Sequence, residues 1–86
     1  KRNFNNYTGG GNMSSKYPVL PPSKIINALA KLEFEKISQK GSHAKYKSRV
    51  TQKVFIIPLH KEIAKGTLKS ILEQADVELE VFLNLL

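Results

Sequence analysis

The sequence predicts an α+β fold, a two-layer sandwich in the order helix, three-stranded antiparallel meander, helix, with a short extra C-terminal helix. Three observations predict it. Apolar residues recur at helical spacing twice, at Ile25, Ile26, Leu29 and Leu32 and again at Leu68, Ile71, Leu72 and Ala75. Between them lie three short runs of strand character separated by polar, turn-forming residues. The chain has 86 residues, enough for one domain with one modest core.

Each element has a local reason. Residues 1–16 are polar, carry four asparagines and three consecutive glycines, and show no hydrophobic period, so they read as a flexible tail or a remnant foreign to the protein, with Met13 a candidate native start. The domain then spans residues 17–86. Tyr17-Pro18-Val19-Leu20-Pro21-Pro22 holds the chain extended, and Ser23 is placed to cap a first helix over about Ser23–Leu32. The strands are expected at Phe34–Ser38, where alternation is imperfect, at His43–Ser48, and at Lys53–Pro58, where Val54, Phe55, Ile56 and Ile57 are all apolar. After a loop to Gly66, Thr67 is placed to cap a helix over Leu68–Ala75. A break at Asp76-Val77 precedes a final helix over Glu78–Leu86, whose acids suit its first turn.

A two-layer domain leaves one sheet face uncovered. In the third strand Val54 and Ile56 point one way and Phe55 and Ile57 the other, so one apolar set packs under the helices and the other awaits a covering surface. A partner protein, a self-association surface or the N-terminal tail is expected to cover some of that face, which is the sequence's best hint of a protein partner.

Composition narrows the chemistry. There is no cysteine, which removes disulfides and thiolate zinc sites, and the two histidines are far apart in sequence, which argues against a structural metal. No metal and no cofactor is therefore expected. No apolar run approaches the ~18 residues of a membrane span, and a small cysteine-free chain without an export signal is most simply cytoplasmic. The net charge is +7, which points to a polyanionic partner. Its distribution says more: Lys36, Lys40, Lys45, Lys47, Arg49, Lys53 and Lys61 fall in a stretch with no Asp or Glu, whereas Glu73, Asp76, Glu78 and Glu80 follow the last lysine, Lys69.

Within that basic stretch stands His43, in Lys40-Gly41-Ser42-His43. The strand period of two puts His43, Lys45, Lys47 and Arg49 on one face, with Ala44 and Tyr46 on the other. Lysines neutralise phosphates, Gly41 and Ser42 allow a nucleic-acid backbone to come close, and an imidazole takes the proton from a ribose 2′-hydroxyl. RNA carries that internal nucleophile and DNA does not, so the pattern favours metal-independent RNA cleavage with His43 as general base. The expected RNA-binding residues are Lys40, Gly41, Ser42, Lys45, Lys47 and Arg49. His60, in Pro58-Leu59-His60-Lys61, is the only candidate for a second catalytic histidine, but nothing in the sequence places it beside His43, and it reads as a loop residue. Lys65-Gly66-Thr67 with Lys69 is as well explained by a plain helix start as by a phosphate site. Tyr46 reads as core and Glu73, Glu78 and Glu80 as a solvated face.

Taken together, Lys40-Gly41-Ser42-His43, Tyr46, the strand ending Ile57-Pro58-Leu59-His60, the run from Lys65-Gly66-Thr67-Leu68-Lys69 to Ala75, and Phe82-Leu83 resemble the HicA toxins over about residues 18–86. The resemblance implies a double-stranded-RNA-binding-domain-like fold and an mRNA-cleaving toxin of a toxin–antitoxin pair. It also implies His43 as the catalytic residue and a HicB antitoxin as protein partner. Two positions depart from the pattern: Ala44 replaces a basic residue or second histidine common after the catalytic one, and Asp76 replaces a glycine before the last helix. Two other functions fit the residues alone. One is a non-catalytic RNA-binding module in which the lysines grip the backbone and His43 is incidental. The other is a protein-interaction domain that uses the apolar sheet face.

Overall fold

The computed structural model describes residues 16–86, so the expected tail lies outside the described residues except for Lys16. The elements run α1 (Pro22–Ala30), β1 (Phe34–Lys40), β2 (His43–Ser48), β3 (Val54–Pro58), α2 (Lys65–Ala75) and α3 (Leu79–Leu85). The three strands form one antiparallel sheet in the order β1-β2-β3. This is the expected α+β arrangement, a double-stranded-RNA-binding-domain-like fold with a third helix appended.

One face of the sheet makes the core. Phe34, Ala44, Phe55 and Ile57 point inwards and meet Ile25 and Leu29 of α1, Leu68, Ile71 and Leu72 of α2, and Phe82 of α3. Phe55 is the centre of it: its ring stacks on Tyr46 at 5.2 Å and tilts against Phe34 at 5.2 Å. Burying one such ring contributes about 1.5–3 kcal/mol. Tyr17, just before the prolines, is also buried, so the extended segment packs onto the core.

The helix starts differ from expectation. Ser23 does not cap α1; Pro21 holds the cap position and Pro22 the first helical one, where its fixed φ suits the helix and its missing N–H costs nothing. Thr67 likewise lies inside α2, which begins at Lys65 after Ala64, and no side chain caps it. The end of α2 does follow from the sequence. Asp76 adopts a left-handed φ of 60°, its amide donates to Glu73 O (3.2 Å) and that of Val77 donates to Leu72 O (2.9 Å). That pair of bonds closes the helix and turns the chain into α3, with Asp in the place glycine most often takes.

The imperfect alternation of β1 has a cause. Lys36 pairs with Tyr46, but the next pair is Ser38 with Lys45, so Ile37 is an extra residue in a β-bulge. The strand then runs on to Lys40, and the turn shrinks to Gly41 and Ser42. Gly41, with φ of 59°, takes the first central position of this two-residue turn, where a positive φ suits glycine.

Candidate nucleic-acid interface around His43

The sheet face that no described element covers carries the candidate site. His43, Lys45 and Lys47 of β2 point outwards, and Ala44, Tyr46 and Ser48 point to the core side, as the period of two requires. Facing the outward residues across the ladders are Lys40 and Pro58 at His43, Ser38 and Ile56 at Lys45, and Glu35 and Val54 at Lys47. Ile37 and Ile56 are 51% and 44% exposed, so this face is apolar as well as basic.

The tight turn sets the end of the site that holds His43. Lys40 and His43 are direct cross-strand partners, so an ammonium and an imidazole share one face beside Gly41 and Ser42. A Cβ on Gly41 would meet nothing within 4 Å, so the glycine is required by its backbone angle and leaves open space above it. Position 44 is fully buried in the core. The departure at Ala44 therefore takes nothing away from the exposed stripe.

The basic stretch is uniform in sequence but not in space. The hairpin returns Glu35 opposite Lys47, and Arg49, just past the end of β2, is bound by Glu33 (3.1 Å) and Glu35 (3.0 Å). So the expected RNA-binding residues divide into two groups. Lys40, Gly41, Ser42 and Lys45 lie around His43. Lys47 and Arg49 lie at the far end, where carboxylates already face them.

The structure also brings in a residue that the sequence left in a loop. His43 and His60 have ring centroids 6.5 Å apart, with planes inclined by 73°. Both ends of the loop carrying His60 are fixed. The Leu59 amide donates to Ser42 O (2.6 Å), continuing the β2–β3 pairing one step past His43 and Pro58. At the other end the amide of the buried Ile63 donates to Leu20 O (2.8 Å). The signal was present in the hairpin: antiparallel pairing puts the start of β2 against the end of β3, so the residues after Pro58 emerge beside His43.

Lys65 and Lys69 flank the start of α2, where no acidic side chain lies in the first turn. Among the described residues no three His, Asp or Glu side chains gather as a set of metal ligands, and no helix is long and apolar enough to cross a membrane.

No curated protein matches the chain. A family model described as the HicA toxin of bacterial toxin-antitoxin does match, over residues 22–77. That span opens at the first residue of α1, takes in the whole sheet with the turn that presents His43, and closes just past α2. The fold and the match agree, and the chain belongs to the HicA toxin family, the toxins of bacterial toxin–antitoxin pairs.

Proposed function

We propose that this toxin is a metal-independent endoribonuclease that cleaves mRNA, with His43 as general base, and that a HicB-type antitoxin neutralises it. The observation that carries the reading is the position of His43. It is exposed at the turn end of β2, with Lys40 across the ladder and Lys45 next along the same face. A phosphodiester seated there has cations for its non-bridging oxygens and an imidazole for its neighbouring 2′-hydroxyl. Attack by that hydroxyl forms the 2′-oxygen–phosphorus bond and expels the 5′-oxygen. The products are a 2′,3′-cyclic phosphate and a 5′-hydroxyl, and no metal-bound water is needed.

Lys40, Lys45 and Lys47 bind phosphate, and the Gly41-Ser42 turn allows the backbone to come close. Arg49 contributes least, because its charge is already matched by Glu33 and Glu35. General acid–base help contributes about 10²–10⁴-fold, so the enzyme is slow, which suffices when damage to the cell's mRNA accumulates. An antitoxin seated on the outer sheet face covers Ile37 and Ile56 and blocks the lysines in one step.

The test is a time course of wild-type and His43→Ala protein on a long single-stranded mRNA with EDTA present. Fragments from the wild type alone, ending in cyclic phosphate, support the reading. Intact RNA in both lanes, with a mobility shift in both, would leave a non-catalytic RNA-binding module. Products ending in a 3′-hydroxyl would show that water, and not ribose, is the nucleophile.

A further inference from the structure

We propose that His60 is the second catalytic residue, the general acid that protonates the departing 5′-oxygen while His43 takes the proton from the 2′-hydroxyl. The inference rests on the ribonuclease reading above and adds the half of the proton balance which that reading leaves open.

An in-line displacement at phosphorus has its attacking and leaving oxygens on opposite sides of the phosphorus atom. One group cannot reach both at once, so base and acid must approach the same phosphodiester from different directions, each within about 2.6–3.2 Å of its oxygen. His43 and His60 meet that requirement. Their centroids, 6.5 Å apart, are too distant for the rings to bond each other directly and close enough to bracket a single phosphodiester. The steep angle between the planes, 73°, means that the rings do not stack.

The placement is built into the fold at both ends of the loop. Leu59, one residue before His60, is tied to Ser42, one residue before His43, so the two histidines follow directly from one backbone hydrogen bond. Ile63, three residues beyond, is locked into the core and bridged to Leu20. Tyr46 is no rival for the role, since it faces the core and stacks on Phe55, and Lys45, on the exposed face beside His43, is already assigned to phosphate charge. Lys40 faces His43, but its role is to hold positive charge at the phosphate.

The step balances without a co-reactant. The 2′-oxygen–phosphorus bond forms as the phosphorus–5′-oxygen bond breaks; His43 gains the proton of the 2′-hydroxyl and His60 gives one to the 5′-oxygen. Exchange with water restores both rings after the product leaves.

A chemically modified linkage separates this role from a structural one. Two RNA oligonucleotides are compared, one natural and one with sulfur in place of the 5′-bridging oxygen at the cleavage site. A thiolate leaves without protonation, so the modified strand needs a base but no acid. Wild type, His43→Ala, His60→Ala and His60→Gln are assayed on both. The expected result is that both His60 variants cleave the natural strand about 10²-fold or more slowly, yet cleave the sulfur strand nearly as fast as wild type. His43→Ala is slow on both. Near-normal cleavage of the natural strand by the His60 variants overturns the proposal while leaving the ribonuclease reading intact. Equal loss on both strands also overturns it, and makes His60 a positioning or structural residue. A wild-type protein that cleaves neither strand overturns the ribonuclease reading and this proposal with it.

Discussion

Replacing Ser48 with alanine tests whether one hydroxyl holds the β2–β3 connection together. Ser48 is the one buried polar residue of the described chain, with no exposed surface, and its Oγ makes three hydrogen bonds. It donates to Leu32 O at 3.2 Å and accepts the amides of Val50 and Thr51, each at 3.1 Å. A hydrogen bond contributes about 0.5–1.5 kcal/mol net, and a buried group left without a partner costs about 1–3 kcal/mol. Val50 and Thr51 are exposed, so water takes over part of what their amides lose, whereas the carbonyl of Leu32 beneath the turn loses its partner. The three together come to about 2 kcal/mol for Ser48→Ala. For a domain of this size that lowers the melting temperature by about 8–16 °C. Thermal and urea unfolding followed by circular dichroism read it directly. Activity measured well below the new melting point should be kept, because the turn that presents His43 is at the opposite end of β2. A loss under ~0.5 kcal/mol would refute the bookkeeping and show that water replaces the hydroxyl fully.

Three further outcomes are expected. Gly41→Ala meets no neighbour within 4 Å, so its cost is that of a φ of 59° alone, about 1–2 kcal/mol, and an unchanged melting temperature would mean that the turn is not built this way. Lys45→Ala lowers the salt dependence of single-stranded RNA binding by about 0.7 in log–log slope, the share of one phosphate contact, while Arg49→Ala lowers it less; filter binding across a salt series reads both, and equal losses would contradict the pairing of Arg49 with Glu33 and Glu35. Burial pushes the phenols of Tyr46 and Tyr17 above the ordinary 10.0, with Glu73 adding to the effect at Tyr17. The unfolded chain then releases these protons first, so this stability is complete below pH ~10 and is lost as the pH rises past it. Tyr46→Phe should flatten that alkaline loss in denaturation curves taken across the range.

Much of the fold was legible because each helix and strand carries its own periodicity. The limits of β2 and the sharing of one face by Phe55 and Ile57 followed from alternation alone, but that this face is the inward one came only from the fold. Other features depended on the backbone. The bulge at Ile37 hid the true length of β1, since one extra residue reverses the alternation without any change in composition. Ser23 and Thr67 are good cap residues in the abstract, yet Pro22 fixed one helix start earlier and α2 began before Thr67. At the site, His43 and its lysines could be read from spacing within one strand. The closeness of His60, and the carboxylates facing Lys47 and Arg49, arise only when strands are laid side by side. Linear charge runs miss such pairs because a hairpin brings together residues from opposite ends of a segment.

The two rims of the sheet are guarded in different ways. Along β3 the Ile56 amide, which points away from β2, is taken by Gln74 Oε1 of α2 at 3.2 Å, so a helix side chain occupies a place where a neighbouring strand would bind. Along β1 the guard is the Ile37 bulge together with Lys36 and Lys40, which disturb the ladder and add charge to its border. A sheet blunted in this way on both sides resists pairing edge to edge with copies of itself. For a chain that also exposes Ile37 and Ile56 on the open face, this is protection against aggregation during the time it spends without its antitoxin.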